Sequence, residues 1–147
     1  MFKYKLEPIL ALKEKLEESK KRELGLAHQC HEKAKAEKEV LVKQREMAFR
    51  EAEIQSNEKV NVRQLRQLNY YSNYIDKAIH SKNEEINLAA RKVEQRRDEL
   101  IEAVKERKIL ENLKEIHLED YKEEEKKKEN NIVDEIVTYK YRTNQKE

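Results

Sequence analysis

The stretch QSNEKVN, Gln55 to Asn61, decides between two very different molecules. If it is helical, the chain is one very long rod. If it turns, the chain folds back on itself. Two asparagines and a serine favour local side-chain bonding over helix continuation, and no strong apolar period survives across the stretch. The reading adopted is a turn at about 57–61, with helix one at about 3–56 and helix two at about 62–142. The fold class expected is therefore all-α, a long antiparallel two-helix coiled coil in which helix two overhangs at its C-terminal end, and 1–147 is read as one elongated domain.

Composition points the same way. Of 147 residues, 44% are Asp, Glu, Lys or Arg, and there is one glycine and one proline, too few turn formers for a compact domain with many loops. The apolar fraction of 37% falls below the roughly 45–50% of globular chains, and a bias toward Ala, Glu, Lys, Leu and Arg marks long helices. Pro8 falls in the first turn of helix one, where its missing N–H costs least.

Outward from the turn, each helix carries a stripe of three- and four-residue steps, the pattern that keeps a seam facing a partner helix. In helix one the seam is read through Ile9, Leu12, Leu16, Leu26, Cys30, Val40, Met47 and Ile54, with Glu23, Lys33 and Glu37 among its polar members. In helix two it runs through Leu65, Leu68, Ser72, Ile75, Ile79, Lys82, Ile86, Ala89, Val93, Arg96, Leu100, Ala103, Arg107 and Leu110, and is richer in apolar residues. A helix of about 50 residues is about 75 Å long. Folding at the turn sets position 9 opposite roughly 110, so residues beyond about 118 have no partner within the chain. That overhang contains EEEKKKENN and then IVDEIV, and is read as helix available to another protein.

Thirty-three basic residues nearly cancel 31 acidic ones, for a formal +2, and the signs are interspersed. That argues against nucleic acid as a partner and against a polybasic membrane patch. No apolar run approaches the ~18 residues of a membrane span, and no secretory signal is visible, so direct membrane insertion is not expected and the chain is read as cytoplasmic. Cys30 is the only cysteine.

Two helices with a mixed seam enclose no cleft in which water is excluded and a pKa retuned, so no catalytic residues, no cofactor and no enzyme activity are expected. His28, Cys30 and His31 are close in sequence, but with Cys30 turned to the seam and the histidines elsewhere they do not converge as metal ligands, and no metal is expected. The basic clusters at Lys20 to Arg22 and Lys105 to Lys108 lie in the half of the hairpin near its open end. They are either solvated faces or a positive end that steers an acidic partner.

The stretch LNYYSNYIDKAI, Leu68 to Ile79, carries three tyrosines. Tyr71, Tyr74 and Ala78 lie on one flank of helix two, with Ile75 shared at its edge. The spacing i, i+3, i+4, i+7 is that of a stripe for a partner groove, and exposed aromatics with polar tips are enriched at binding hot spots. The alternative is packing along the shoulder of the coil. Tyr70 points further outward.

Two further stretches, FKYKLEPILALKEKLEESKKRELGLA (Phe2 to Ala27) and RRDELIEAVKERKILENLKEIHLEDYKEEEKKKE (Arg96 to Glu129), closely resemble the flagellar export protein FliJ family, a likeness spanning essentially the whole chain. The resemblance implies an antiparallel coiled coil similar to that of the rotary ATPase gamma subunit. It also implies a non-enzymatic component of the flagellar type III export apparatus, peripherally associated with the cytoplasmic face of the membrane. The partners implied are the hexameric export ATPase, whose assembly and activity such proteins promote, the cytoplasmic domain of the export gate protein FlhA, and export chaperones. The family's gate-contacting positions fall on Tyr71, Ile75, Ala78 and Lys82, three of which coincide with the stripe that also includes Tyr74. A stalk entering a ring should present the end where both termini meet, which here means Phe2 and Tyr4 as an exposed tip, with Arg107 and Lys108 nearby. The competing reading is a structural tether formed by parallel dimerisation of one long helix, which the like charges of Glu23, Lys33 and Glu37 at seam positions disfavour.

Overall fold

A computed structural model of the chain describes residues 1–57, 59 and 61–145. It contains two helices, α1 at Glu7–Ser56 and α2 at Val62–Asn144, and no strand among the described residues. The fold is an all-α helical hairpin. Both helices lie within one chain, so the parallel pairing of one continuous helix is not the arrangement present.

The turn is built from the polar residues that flagged it. Ser56 Oγ donates to the Glu53 carbonyl at 2.9 Å, closing off α1. Asn61 is the N-cap of α2: its Oδ1 accepts the otherwise orphaned Arg63 N–H at 3.1 Å, and its carbonyl accepts the first helical bond, from the Leu65 N–H at 3.1 Å. The expected turn at 57–61 also includes Glu58 and Val60, which lie outside the described residues.

Helix α1 begins at Glu7, later than the expected 3. Extending it backwards would require a hydrogen bond from Pro8 to the Tyr4 carbonyl, which proline cannot donate. That carbonyl instead accepts the Glu7 N–H at 3.2 Å, a tight turn, and residues 1–4 run non-helically along α2.

The chain divides into two compact units. In the first, Met1–Glu17 with Glu102–Glu147, the buried side chains are Tyr4, Leu10, Glu17 and Ala103. Tyr4 donates its hydroxyl to the Leu110 carbonyl at 3.0 Å and meets the His117 ring edge-on at 5.8 Å. Phe2 packs on the Tyr121 ring at 5.7 Å, and the N-terminal ammonium donates to the Tyr121 hydroxyl at 3.0 Å. The coverage of α2 therefore reaches Tyr121, slightly past the expected 118, because non-helical chain spans more distance per residue than helix. Residues 126–145 are all exposed. In the second unit, Glu18–Ile101, the buried side chains are Ala27, Ala34, Ile75 and Val93.

In each unit α1 and α2 run antiparallel, as the ion pairs record. The first joins Glu7 to Lys114 at 2.8 Å and Lys13 to Glu106 at 2.7 Å, while Arg107 donates to Glu17 and, at 2.6 Å, to Glu111. The second has Lys20 on Glu99 at 3.2 Å, Arg96 on both Glu23 and Glu99 at 3.0 Å, and Arg45 on Asp76 at 3.2 Å.

These pairs correct the seam of α1. Among the expected members Glu23 and Glu37 are half-buried and paired to α2, but the apolar line is displaced: the covered positions include Leu10, Lys13, Glu17, Lys20, Leu24, Ala27, His31, Ala34, Lys38 and Leu41, most of them one residue later than expected. Ile9, Leu12, Leu16, Leu26, Val40, Met47 and Ile54 are exposed, and Cys30, expected to face the seam, is exposed as well. The alanines let the helices approach, and Lys13, Glu17 and Lys20 each meet an opposite charge on α2. On α2 the covered positions follow the expected seam from Leu68 to Leu110, whereas Leu65 is exposed.

Candidate partner-binding surface

Around the tyrosine stripe, the structure separates residues that the sequence grouped. Ile75 is 1% exposed, the most completely buried large side chain among the described residues, so it is not available to a partner. This bears out its seam position and takes it out of the accessible stripe, at whose edge it was also expected. Its position repeats seven residues before Lys82 and seven after Leu68, along the centre of the α2 seam rather than its flank. Ala78 is half-buried. Tyr71 and Tyr74 remain accessible, at 39% and 69%, and Tyr70 is more exposed still.

Lys82 is also committed within the hairpin. Its ammonium donates to Glu37 across the seam and to Glu85 at 2.8 Å one turn on. Those two hydrogen bonds, Glu37 first, hold the Lys82 pKa above its usual value despite some desolvation, and the same Lys82 donor holds the Glu37 carboxyl below its usual value. Lys82 is thus a clasp behind the stripe, with its charge neutralised by two carboxylates.

Between the end of α1 and the start of α2 lies a cleft of about 390 Å³, lined by Ala48, Glu51, Ala52, Gln55, Leu65, Leu68 and Tyr71 among others. Its lining mixes alanine and leucine with polar side chains. Tyr71 is at once a wall of this cleft and a member of the accessible stripe.

At the N-terminal end of the chain, the expected exposed tip is not there. Tyr4 is 8% exposed and Phe2 half-buried, both folded onto α2. Arg107 is half-buried, its guanidinium held protonated by hydrogen bonds to Glu111 and Glu17. Of the four residues expected at that end, Lys108 is the one that stands exposed. Sequence reading missed Tyr121, His117 and Lys114 as the seat of the N-terminal aromatics. The signal available was the aromatic and basic residues at 114, 117 and 121, each three or four apart.

His28 and Cys30 are exposed while His31 is half-buried against the seam, and no group of three or more His, Cys, Asp or Glu able to hold a metal ion occurs among the described residues. No helix among them is long and apolar enough to cross a membrane.

A family model described as flagellar FliJ protein matches residues 2–146, which is nearly the whole chain. The chain belongs to the FliJ family. FliJ-family membership makes it a component of the flagellar export apparatus, and the family is a structural one rather than a known class of enzyme. No curated protein and no solved structure matches it.

Proposed function

We propose that this FliJ-family chain is a non-enzymatic stalk and adaptor of the flagellar export apparatus. In this reading it binds the hexameric export ATPase and promotes its assembly and activity, contacts the cytoplasmic domain of the export gate protein FlhA, and assists export chaperones. It works in the cytoplasm at the membrane face, and the chain acts as one coiled-coil domain. The observation that carries the gate contact is the pair Tyr71 and Tyr74, two accessible aromatics on a helix whose other face is packed. Large amphipathic side chains on a rigid element are suited to hot-spot contacts because little side-chain entropy is lost on binding.

Within the stripe, Tyr71 and Tyr74 supply the contact, Ala78 leaves room for close approach, and Ile75 and Lys82 hold the helix in place from behind. At the other end, Phe2 and Tyr4 contribute to ATPase binding by anchoring the N-terminal residues on α2, and Lys108 supplies an exposed charge beside Arg107. Replacing Tyr71 and Tyr74 together by alanine should weaken binding to the gate domain at least tenfold without changing ATPase stimulation. Unchanged gate affinity would reduce the tyrosines to packing along the coil.

A further inference from the structure

In the unit formed by Met1–Glu17 and Glu102–Glu147, the covered line runs through Leu10, Lys13 and Glu17 on α1 and through Ala103, Arg107, Leu110 and Lys114 on α2, with His117 next in the same period. One residue before those lines stand large apolar side chains: Ile9, Leu12 and Leu16 on α1, and Ile109, Leu113 and Ile116 on α2. Five of the six are between 39% and 65% exposed, and Leu113 is half-buried. Two right-handed helices running in opposite directions present the positions that precede their covered lines on the same side of the pair. The ion pairs of the other unit obey the same rule, for Arg96 donates to both Glu23 and Glu99, which precede the covered Leu24 and Leu100. The six apolar residues therefore share one face of the two helices. The opposite flank, one residue after the covered lines, carries Glu14, Lys108, Glu111 and Glu115.

We infer that this face is where two copies of the chain associate, weakly and reversibly, as an antiparallel four-helix bundle. At their exposures the five side chains leave roughly 500 Å² of apolar surface uncovered, toward the top of the ~300–600 Å² range of the largest patch on a typical monomer. Two copies meeting there remove roughly 1,000 Å² of it from water, and the polar rim brings the total near the ~1,200 Å² at which specific interfaces begin. An interface of that size suits an association that forms only at high concentration. The pairs Glu7–Lys114 and Lys13–Glu106 set Leu12 close to the height of Ile109. A twofold axis parallel to the helices then lays α1 of one copy along α2 of the other, running antiparallel, with leucines and isoleucines facing each other at one level. Self-pairing brings like charges together, and this face tolerates it: Glu106 and Glu102, the charged members of the same line of α2, are paired with Lys13 at 2.7 Å and Lys105 at 3.4 Å.

The test is sedimentation equilibrium of the full-length chain from about 5 to 500 μM, a range chosen for an interface at the small end of the stable class. Two double variants are compared with it: Leu12→Gln with Ile109→Gln on the face, and Ile132→Gln with Ile136→Gln on the exposed C-terminal part of α2. All four positions are exposed, so the fold is retained, and circular dichroism checks helicity in each. The expected result is an apparent mass that rises from that of one chain toward that of two. The face variant should raise the half-association concentration at least tenfold, and the C-terminal variant should leave it unchanged. A single-chain mass across the whole range overturns the self-association and leaves the face to a different protein. Association that survives the face variant, or that is lost with the C-terminal one instead, overturns the assignment to this face.

Discussion

Arg107 donates to Glu17 across the hairpin, and Glu17 is buried, the one charged side chain so enclosed among the described residues. Losing Arg107 takes from a buried carboxylate the cation that pairs with it across the two helices, and breaking an enclosed ion pair from one side is destabilising. The exposed neighbour Lys108 has no such dependence. Arg107→Ala should therefore lower the melting temperature by several degrees and Lys108→Ala hardly at all, as circular dichroism would show. Replacing both partners by leucine should preserve the melting temperature or raise it while loosening register, seen as oligomers in light scattering, since charged seam residues specify pairing more than they stabilise it.

Ile75 and Tyr74 are sequence neighbours with opposite roles. Ile75→Ala removes the most enclosed large side chain of the seam and should cost about 2–5 kcal/mol in chemical denaturation. Tyr74→Ala changes an exposed position and should stay within about 0.5 kcal/mol. A large loss with Tyr74→Ala would mean that its ring packs on the hairpin instead of standing free.

Gly25 lies inside α1, its φ is not positive, and a Cβ added there would meet nothing within 4 Å. Neither turn geometry nor close approach requires glycine at this position. Gly25→Ala should stabilise the hairpin by about 0.5–1 kcal/mol through helix propensity alone, measured by the shift in denaturation midpoint at constant slope.

The ion pairs give the stability a defined pH dependence. Glu37 titrates below its usual 4.5 because Lys82 donates to it, and Glu99 does so because Arg96 and then Lys20 donate to it. For both, the folded value lies below the unfolded one. Their contribution is complete above pH 4.5 and is lost as pH falls through the depressed folded values. The melting temperature should hold steady from neutral pH down to about 5 and fall below about 4.5, more shallowly in a Glu37→Gln, Glu99→Gln double variant.

How much of this was legible in the sequence depended on side-chain size. The seam of α2 could be read because Ile75, Ile79, Ile86, Val93 and Leu100 fill it, and bulky residues at three- and four-residue steps give a clear period. The seam of α1 mixes Leu10, Leu24 and Leu41 with Ala27, Ala34 and paired charges such as Glu17 and Lys20, while Leu12, Leu26 and Met47 stand near it, exposed. Reading size as burial moved the register by one residue. The hairpin itself was signalled by Ser56 and Asn61, whose local bonds are determined by residue type. The burial of Tyr4 was not, since it depends on Leu110 and His117, more than a hundred residues away in the chain.

The stalk and adaptor reading is tested most directly by titrating the purified chain into the purified export ATPase of the same organism, following ATP hydrolysis together with hexamer formation. Both should rise at substoichiometric amounts, about one chain per ring, as expected for a single stalk that organises a ring around itself. No change in either, with a preparation shown to be helical and monomeric, would contradict it.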